Sequence, residues 1–180
     1  FGEEDETYKG FAPNNNFYYI PGQKFTPHLD LGQGDDKYEE YPAKATGNDC
    51  FHAYPSVNDW YETVKLNYGV DYCGGGHYHF DPIPDTWNKM LDILLYWAAK
   101  GVDGFRCDMV FMVPVDFWHW AIAKVKEKYP NLPMMMCSGG GGRCDYEALK
   151  YFTEFWCSDD TNPIERCYIQ WGFSQFMPAK

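Results

Sequence analysis

The sequence predicts an α/β fold built on a parallel sheet. Three observations carry this expectation. From about residue 85 onward, short apolar runs alternate with helix-period segments, which is the pattern of strand–helix–strand crossovers. The helical segments begin and end with residues suited to helix termini. The apolar runs end in Arg106-Cys107-Asp108, Cys137-Ser138-Gly139 and Ser158-Asp159-Asp160, so polar groups collect where parallel sheets place their chemistry. Doubly wound sheets and (β/α) barrels both satisfy this pattern.

Residues 1–84 form a loop-rich first region. Pro13-Asn14-Asn15-Asn16, Pro21-Gly22, Gly32-Gln33-Gly34-Asp35-Asp36 and Gly74-Gly75-Gly76 are turn signals. Phe17-Tyr18-Tyr19-Ile20 reads as a short strand. A helix is expected over 57–67, with Ser56 or Asn58 as cap and Trp60, Val64 and Tyr68 on one side. Residues 85–180 form the second region. Asp85 caps a helix running to about Lys100, with Trp87, Met90, Leu91, Leu94, Trp97 and Ala98 as its buried stripe and Gly101 as its stop. Residues 102–110 read as a buried strand. Pro114 opens a helix to about Tyr129, with Phe117, Trp118, Ala121, Ile122 and Val125 inward and Lys124, Lys126 and Lys128 near the negative end of its dipole. Residues 133–137 form the next strand, and the glycines at 139–142 lead into a helix around 145–152. A third strand follows at 154–158. Asn162-Pro163-Ile164-Glu165 starts a helix to about Phe173, and Phe176-Met177 begins a fourth strand.

Composition narrows the function. Lys and Arg total 15 against 26 Asp and Glu, so the 180-residue chain carries a net charge of −11. Such a balance repels polyphosphate and argues against nucleic acid as a partner. No window supplies the roughly 20 apolar residues of a membrane helix. The opening FGEEDETYKG lacks the basic start and apolar run of a signal peptide, and nothing assigns a compartment. The aromatic share is 19%, and such rings both fill cores and stack on the apolar faces of sugars. Seven scattered cysteines without CxxC spacing argue against a disulfide framework or a zinc site. Cys73-Gly74-Gly75-Gly76-His77-Tyr78-His79 comes nearest to a metal motif but lacks a fourth ligand, and a Gly-rich surface loop accounts for it equally.

The candidate chemistry lies at the strand ends. Arg106 and Asp108 stand two apart on a strand and so share a face, and a guanidinium beside a carboxylate keeps it ionised. An ionised, oriented carboxylate suits a glycosidase nucleophile, and a structural ion pair is the plain alternative. Asp159 and Asp160 follow Trp156. Adjacent carboxylates repel, which favours a proton on one of them and suits a general acid, while an acidic cluster before a helix start is the alternative. Cys137-Ser138-Gly139-Gly140-Gly141-Gly142-Arg143 fits neither a P-loop nor a dinucleotide fingerprint, and its glycines would let a substrate approach the backbone. Cys107 and Cys144 read as packing residues.

Two resemblances emerge from these segments. Pro13-Asn14-Asn15-Asn16-Phe17-Tyr18-Tyr19, residues 41–49, residues 58–71 and Gly101-Val102-Asp103-Gly104-Phe105-Arg106-Cys107-Asp108 resemble the alpha-amylase family (glycoside hydrolase family 13), over about residues 13–131. This resemblance implies that Asp108 is the nucleophile on the fourth strand of a (β/α)8 barrel with Arg106 as its partner. It also implies that residues 1–84 are an insertion. Calcium is the cofactor that amylase analogy suggests; the sequence shows no ligand set for it, and no other cofactor or metal site is implied. The amylase acid, a Glu after the fifth strand, is missing, because Pro133-Met134-Met135-Met136-Cys137 stands there. From about residue 130 to 180, residues 137–145, Phe155-Trp156-Cys157-Ser158-Asp159-Asp160-Thr161-Asn162, Ile164-Glu165-Arg166 and Ile169-Gln170-Trp171-Gly172 resemble the alpha-galactosidase (melibiase) family 36. That resemblance implies that Asp159 is the acid/base and that Cys137, Gly139 and Arg143 shape a sugar subsite, to which Trp156 and Asp160 are added as neighbours. Arg106 stands where that family usually has Lys, and Asn162 where it commonly has Asp.

Together the resemblances imply an α/β fold, a partial (β/α)8 barrel of about strands 4–7 behind an irregular N-terminal insertion-like region. They imply a retaining alpha-glycoside hydrolase acting on alpha-linked oligo- or polysaccharides through two carboxylates, Asp108 and Asp159. The alternative is a catalytically inactive carbohydrate-binding or structural half-barrel, because a closed barrel takes about 250 residues. A half-barrel exposes strand edges and implies a homo-oligomer or a missing barrel half. A flavodoxin-like binder of a small anion is a third reading, and the lack of a phosphate fingerprint argues against it.

Overall fold

A computed structural model describes residues 16–20, 22–26, 40–56 and 58–177. Residues 13–15, Pro21, the loop at 32–36, Val57 and residues 178–180 lie outside the described residues, as does the opening segment. The chain divides into two compact units, 1–89 and 90–180.

The first unit is built from short antiparallel pairs. β1 (Tyr19–Ile20) pairs with β2 (Ala43–Lys44), and β3 (Val70–Asp71) pairs with β4 (His77–Tyr78). Ile20, Phe25, Ala43 and Ala53 form one buried cluster. The segments interlace through single backbone bonds: Tyr18 N donates to Lys65 O at 3.2 Å, Ala45 N to Tyr18 O at 2.9 Å and Lys65 N to Ala45 O at 2.9 Å. The helix expected over 57–67 does not form. Trp60 N donates to Asn48 Oδ1 at 2.9 Å and Lys65 N to a carbonyl twenty residues away, so the amides that a helix would use are taken by long-range partners. The Gly74–Gly76 segment is a turn between β3 and β4, with His77 and Tyr78 exposed.

α1 (Asp85–Ala99) starts at the expected aspartate, and Gly101, at φ +85°, ends it in the left-handed conformation that glycine adopts without strain. Its expected stripe is only partly buried: Trp87 and Ala98 are, but Trp97 is 50% exposed. In the second unit, β5 (Phe105–Cys107), β6 (Met134–Met136) and β7 (Glu154–Phe155) form a parallel sheet in that order. The fold is therefore α/β with a parallel sheet. α2 (Val115–Lys128) buries Phe117, Ala121, Ile122 and Val125 and lies between β5 and β6 in sequence. Ile122 packs with Cys107, Val110, Met134, Met136 and Phe152 in the core of this unit. α3 (Pro163–Ser174) follows β7.

Three expectations need correction here. The strand expected over 102–110 is three residues long, because Met109 turns at φ +50° into a single 3-10 turn at Val110–Met112. The helix expected around 145–152 is replaced by 3-10 turns at Gly141–Arg143 and Ala148–Lys150. Phe176 and Met177 lie in turns closing α3, with both amides bonded to Phe173 O, rather than in a strand. Among the described residues no helix is long and apolar enough to cross a membrane.

Candidate active site

Strand alternation selects one face of the parallel sheet. Phe105, Cys107, Met134, Met136 and Phe155 belong to the core cluster packed with α2. Side chains one residue out of phase point to the other face. Arg106 sits opposite Met135 in register, and the ladder continues past the strand ends, with Cys137 N donating to Cys107 O and Trp156 N to Met136 O, each at 2.9 Å. Arg106, Asp108, Cys137 and Trp156 thus gather on the face that α2 leaves uncovered.

Arg106 is the hub. Its Nη2 lies 3.2 Å from Asp108 Oδ1 and donates to Cys137 Sγ at 3.1 Å, and its guanidinium stands 5.9 Å from the Trp156 ring centre. The guanidinium is held in its charged form above its ordinary range, first by the Cys137 bond, then by Asp108, with Asp159 adding to the effect. Arg106 and Asp108 are both more than half exposed, so the pair stabilises the fold little, and its effect is to orient the carboxylate. Trp156 carries the connection onward: its Nε1 donates to Asp159 Oδ1 at 2.7 Å.

The glycine loop closes on the same place. Gly139 adopts φ +74°, and a Cβ there would stand 3.1 Å from Arg143 Nη1 and 3.6 Å from Asp159 Oδ2. Gly139, Arg143 and Asp159 are therefore neighbours. Arg143 Nη1 donates to Ser138 O at 2.6 Å, and its guanidinium lies 4.1 Å from the Phe111 ring centre. Gly140 bridges Ser158, and Gly141 N donates to Cys157 O at 2.9 Å, which ties the glycine loop to the acidic loop. At Gly141 the glycine serves packing rather than substrate approach, because a Cβ would come within 2.7 Å of the Phe173 ring.

Asp108, Arg106, Cys137, Gly139, Arg143, Trp156 and Asp159 are thus brought together. Asp160 is turned aside: its Oδ1 accepts Asn162 N at 2.8 Å, at the start of α3. Arg166, to which no role was given from the sequence, reaches this site from α3. Its guanidinium stands 5.0 Å from the Trp156 ring centre, and its Nη1 donates to Ser158 O and to Asp160 O, the latter at 3.2 Å. The available signal was helix phase: once Asn162 and Pro163 mark the first turn, residue 166 lies one turn on, beside the loop that precedes the helix. Among the described residues no three His, Cys, Asp or Glu side chains converge in a geometry that would hold a metal ion.

Known proteins match parts of the chain. The family model named Melibiase matches residues 116–180. The alpha-galactosidase of Escherichia coli is 44% identical over 56 residues, which is 31% of this chain and 8% of that protein. The bifunctional alpha-galactosidase/sucrose kinase AgaSK of Mediterraneibacter gnavus is 51% identical over 52 residues, 29% of this chain and 6% of that protein. An alpha-1,4-glucan:maltose-1-phosphate maltosyltransferase of Cereibacter sphaeroides is 34% identical over 56 residues, 31% of this chain and 9% of that protein. A crystal structure of an alpha-amylase from Lactobacillus plantarum aligns with a TM-score of 0.46 and 27% identity, covering 67% of this chain and 31% of that one. The chain thus spans less than a tenth of the length of these curated relatives. The melibiase likeness read from the sequence is met among known proteins, over part of the chain.

Proposed function

We propose that the chain is the catalytic part of a retaining alpha-glycoside hydrolase. Asp108 is the nucleophile, Arg106 orients it, and Asp159 is the acid/base. The observation that carries this reading is the chain of contacts Asp108–Arg106–Trp156–Asp159, which links two carboxylates at the carboxyl ends of β5 and β7, the parallel strands on either side of β6. Retention uses such a pair: one carboxylate attacks the anomeric carbon while the other protonates the departing oxygen, and the second then takes a proton from the incoming water. On this reading β5, β6 and β7 are consecutive strands of a (β/α)8 barrel, and residues 1–84 are an insertion-like region. Cys137, Gly139, Arg143 and Trp156 line the sugar subsite. An alpha-galactoside is the favoured substrate, since Asp159 lies in the part matched by the melibiase family.

The test is turnover of nitrophenyl alpha-galactoside and alpha-glucoside by the full chain. Asp159→Asn should lower kcat by about 10²–10⁴-fold, the range for a positioned acid. Asp108→Asn should lower it further, since no glycosyl-enzyme forms without the nucleophile. No turnover of either glycoside, or an Asp108→Asn variant as fast as the parent, sinks the reading.

A specific observation favours a second reading, a catalytically inactive carbohydrate-binding or structural half-barrel. Ile164, Tyr168 and Trp171, one face of α3, are 68–69% exposed, an apolar stripe of a size unusual on a free helix. Sugar binding by an inactive chain, with dimers in size-exclusion chromatography, would mark this second reading.

A further inference from the structure

We infer that Arg166 is a positioning residue that holds Trp156 and the 158–160 loop in place, so that Asp159 faces Asp108. The inference rests on the roles given above to Asp108 and Asp159, and it adds a residue that those roles do not include.

The bond between Trp156 Nε1 and Asp159 Oδ1 is exposed to water. Such a bond competes with solvent and fixes a carboxylate only when the donor itself is fixed. Trp156 is only half-buried, so its own burial does not supply that rigidity. Arg166 does so in two ways. Its guanidinium faces the indole at 5.0 Å, nearer than Arg106 at 5.9 Å. The same guanidinium donates to the carbonyls of Ser158 and Asp160, the residues on either side of Asp159. The single Nη1 holds both carbonyls while the planar guanidinium is free to stack on the ring, and a lysine ammonium has no plane to stack.

The anchor for Arg166 is stiff. Its amide donates to Asn162 O at 2.8 Å in the first turn of α3, and Asn162 Oδ1 caps that turn through Ile164 N and Glu165 N. Asn162 N in turn donates to the carboxylate of Asp160. The helix start therefore dictates the shape of the acidic loop. Small displacements at a reacting group cost large factors in rate, which gives such an anchor kinetic weight.

Two readouts on the full chain test this. In the first, the indole N–H resonances are recorded against pH, and Trp156→Phe identifies the Trp156 signal among the seven tryptophans. That signal should follow the protonation of Asp159 in the parent and cease to do so in Asp159→Asn. In Arg166→Gln the pH response should be lost while the fold persists by circular dichroism. In the second, kcat on the better nitrophenyl glycoside should fall about tenfold with KM changed less than about twofold, the sign of a misplaced reacting group rather than lost substrate binding. A merely structural role would lower the melting temperature and leave the indole response intact. If Arg166→Gln does not fold, Arg166→Lys, which keeps the charge without the planar fork, is measured for the same loss. An unchanged indole response in a folded Arg166 variant overturns the inference. Absence of turnover in the parent overturns the hydrolase reading alone, because the indole experiment needs no activity.

Discussion

The two units of this chain are held together by different kinds of contact. In the first, the strands are two residues long, and the weight falls on side chains and single long-range bonds. The Tyr18 hydroxyl lies between Asn67 Oδ1, at 3.0 Å, and the carbonyl of Val70, with Tyr72 and Phe51 edge-on to its ring. Lys65 is buried, with Nζ 2.6 Å from Asp49 and over the Tyr72 ring. In the second unit a parallel ladder packs methionines, a thiol and α2 into one apolar cluster and leaves its charged groups on the opposite face. A unit organised by a ladder can keep one face free for chemistry. A unit organised by interlaced loops spends its polar groups on itself.

The largest way to break this comparison is to hollow the second core. Met134 is fully buried between its neighbours on β5 and β7. Met134→Ala should cost about 2–5 kcal/mol, the range for emptying a buried long side chain. Hydrogen exchange should then show lost protection at the amides of Cys137, Thr153 and Trp156, which ride on that ladder, and retained protection at Ala45 and Lys65 in the first unit. Equal loss in both units would show that the ladder and the interlaced loops unfold as one.

The same contrast explains what was legible from the sequence. From α1 onward the signals are local: Asp85 and Gly101 bound α1, Pro114 precedes α2, Asn162-Pro163 opens α3, and three strands with polar carboxyl ends are found where the apolar runs lie. The grouping of Arg106, Asp108 and Trp156 follows from alternation alone. What the local pattern missed depends on neighbours distant in sequence. The crossover from β6 to β7 is spent on the glycine loop and 3-10 turns, with Gly141 shaped by Phe173, about thirty residues on. Asp160 looks equivalent to Asp159 until the helix start claims it. Arg166 enters the site only through the packing of α3 on the acidic loop.

Alkaline pH offers a smaller test of the same comparison. Burial pushes the Cys107 thiol, in the second core, up from 9.0 to about 12. In the first unit burial pushes the Tyr68 and Tyr72 hydroxyls up from 10.0 to about 12, and raises Tyr18 further. In each case the folded state holds its proton more tightly than the unfolded chain. Stability is therefore unaffected below the unfolded value and falls as pH rises from there towards the folded one. The second unit should begin to weaken above about pH 9 through Cys107, and the first from the same pH through Cys50, whose thiol burial also raises from 9.0, and more steeply about one pH unit later as the tyrosines join. At pH 10 the loss through Cys107 is about 1.4 kcal/mol, one unit of titration in the unfolded chain. Urea unfolding at pH 8, 9 and 10 measures it, and Cys107→Ala should remove that share of the decline, leaving the shares of Cys50 and Cys144. An unchanged decline in Cys107→Ala would show that this thiol is not held in a dry core.

The finest test compares two similar sequence signals with opposite outcomes. Ser56 and Asn162 both stand before segments with helical periodicity. At Asn162 the side chain accepts from Ile164 N at 3.0 Å and Glu165 N at 3.3 Å, Pro163 occupies the first turn, and α3 follows. At Ser56 the bonding also closes locally, because Asp59 Oδ2 accepts from both the amide and the hydroxyl of Ser56, at 2.7 and 2.8 Å. There the chain stops at a turn, because Asn48 captures Trp60 N before a second helical bond can form. A cap therefore stabilises a helix only where the following amides have no better partner. Asn162→Ala should cost about 1 kcal/mol and lower the helical signal in circular dichroism, and Asn162→Asp, which can accept the same bonds and adds a charge favourable to the dipole, should restore it. Ser56→Ala should leave the helical signal unchanged. A matching loss of helicity at Ser56 would mean that the 58–67 segment is helical in solution, and that the interlaced bonds of Lys65 and Trp60 do not outweigh its local preference.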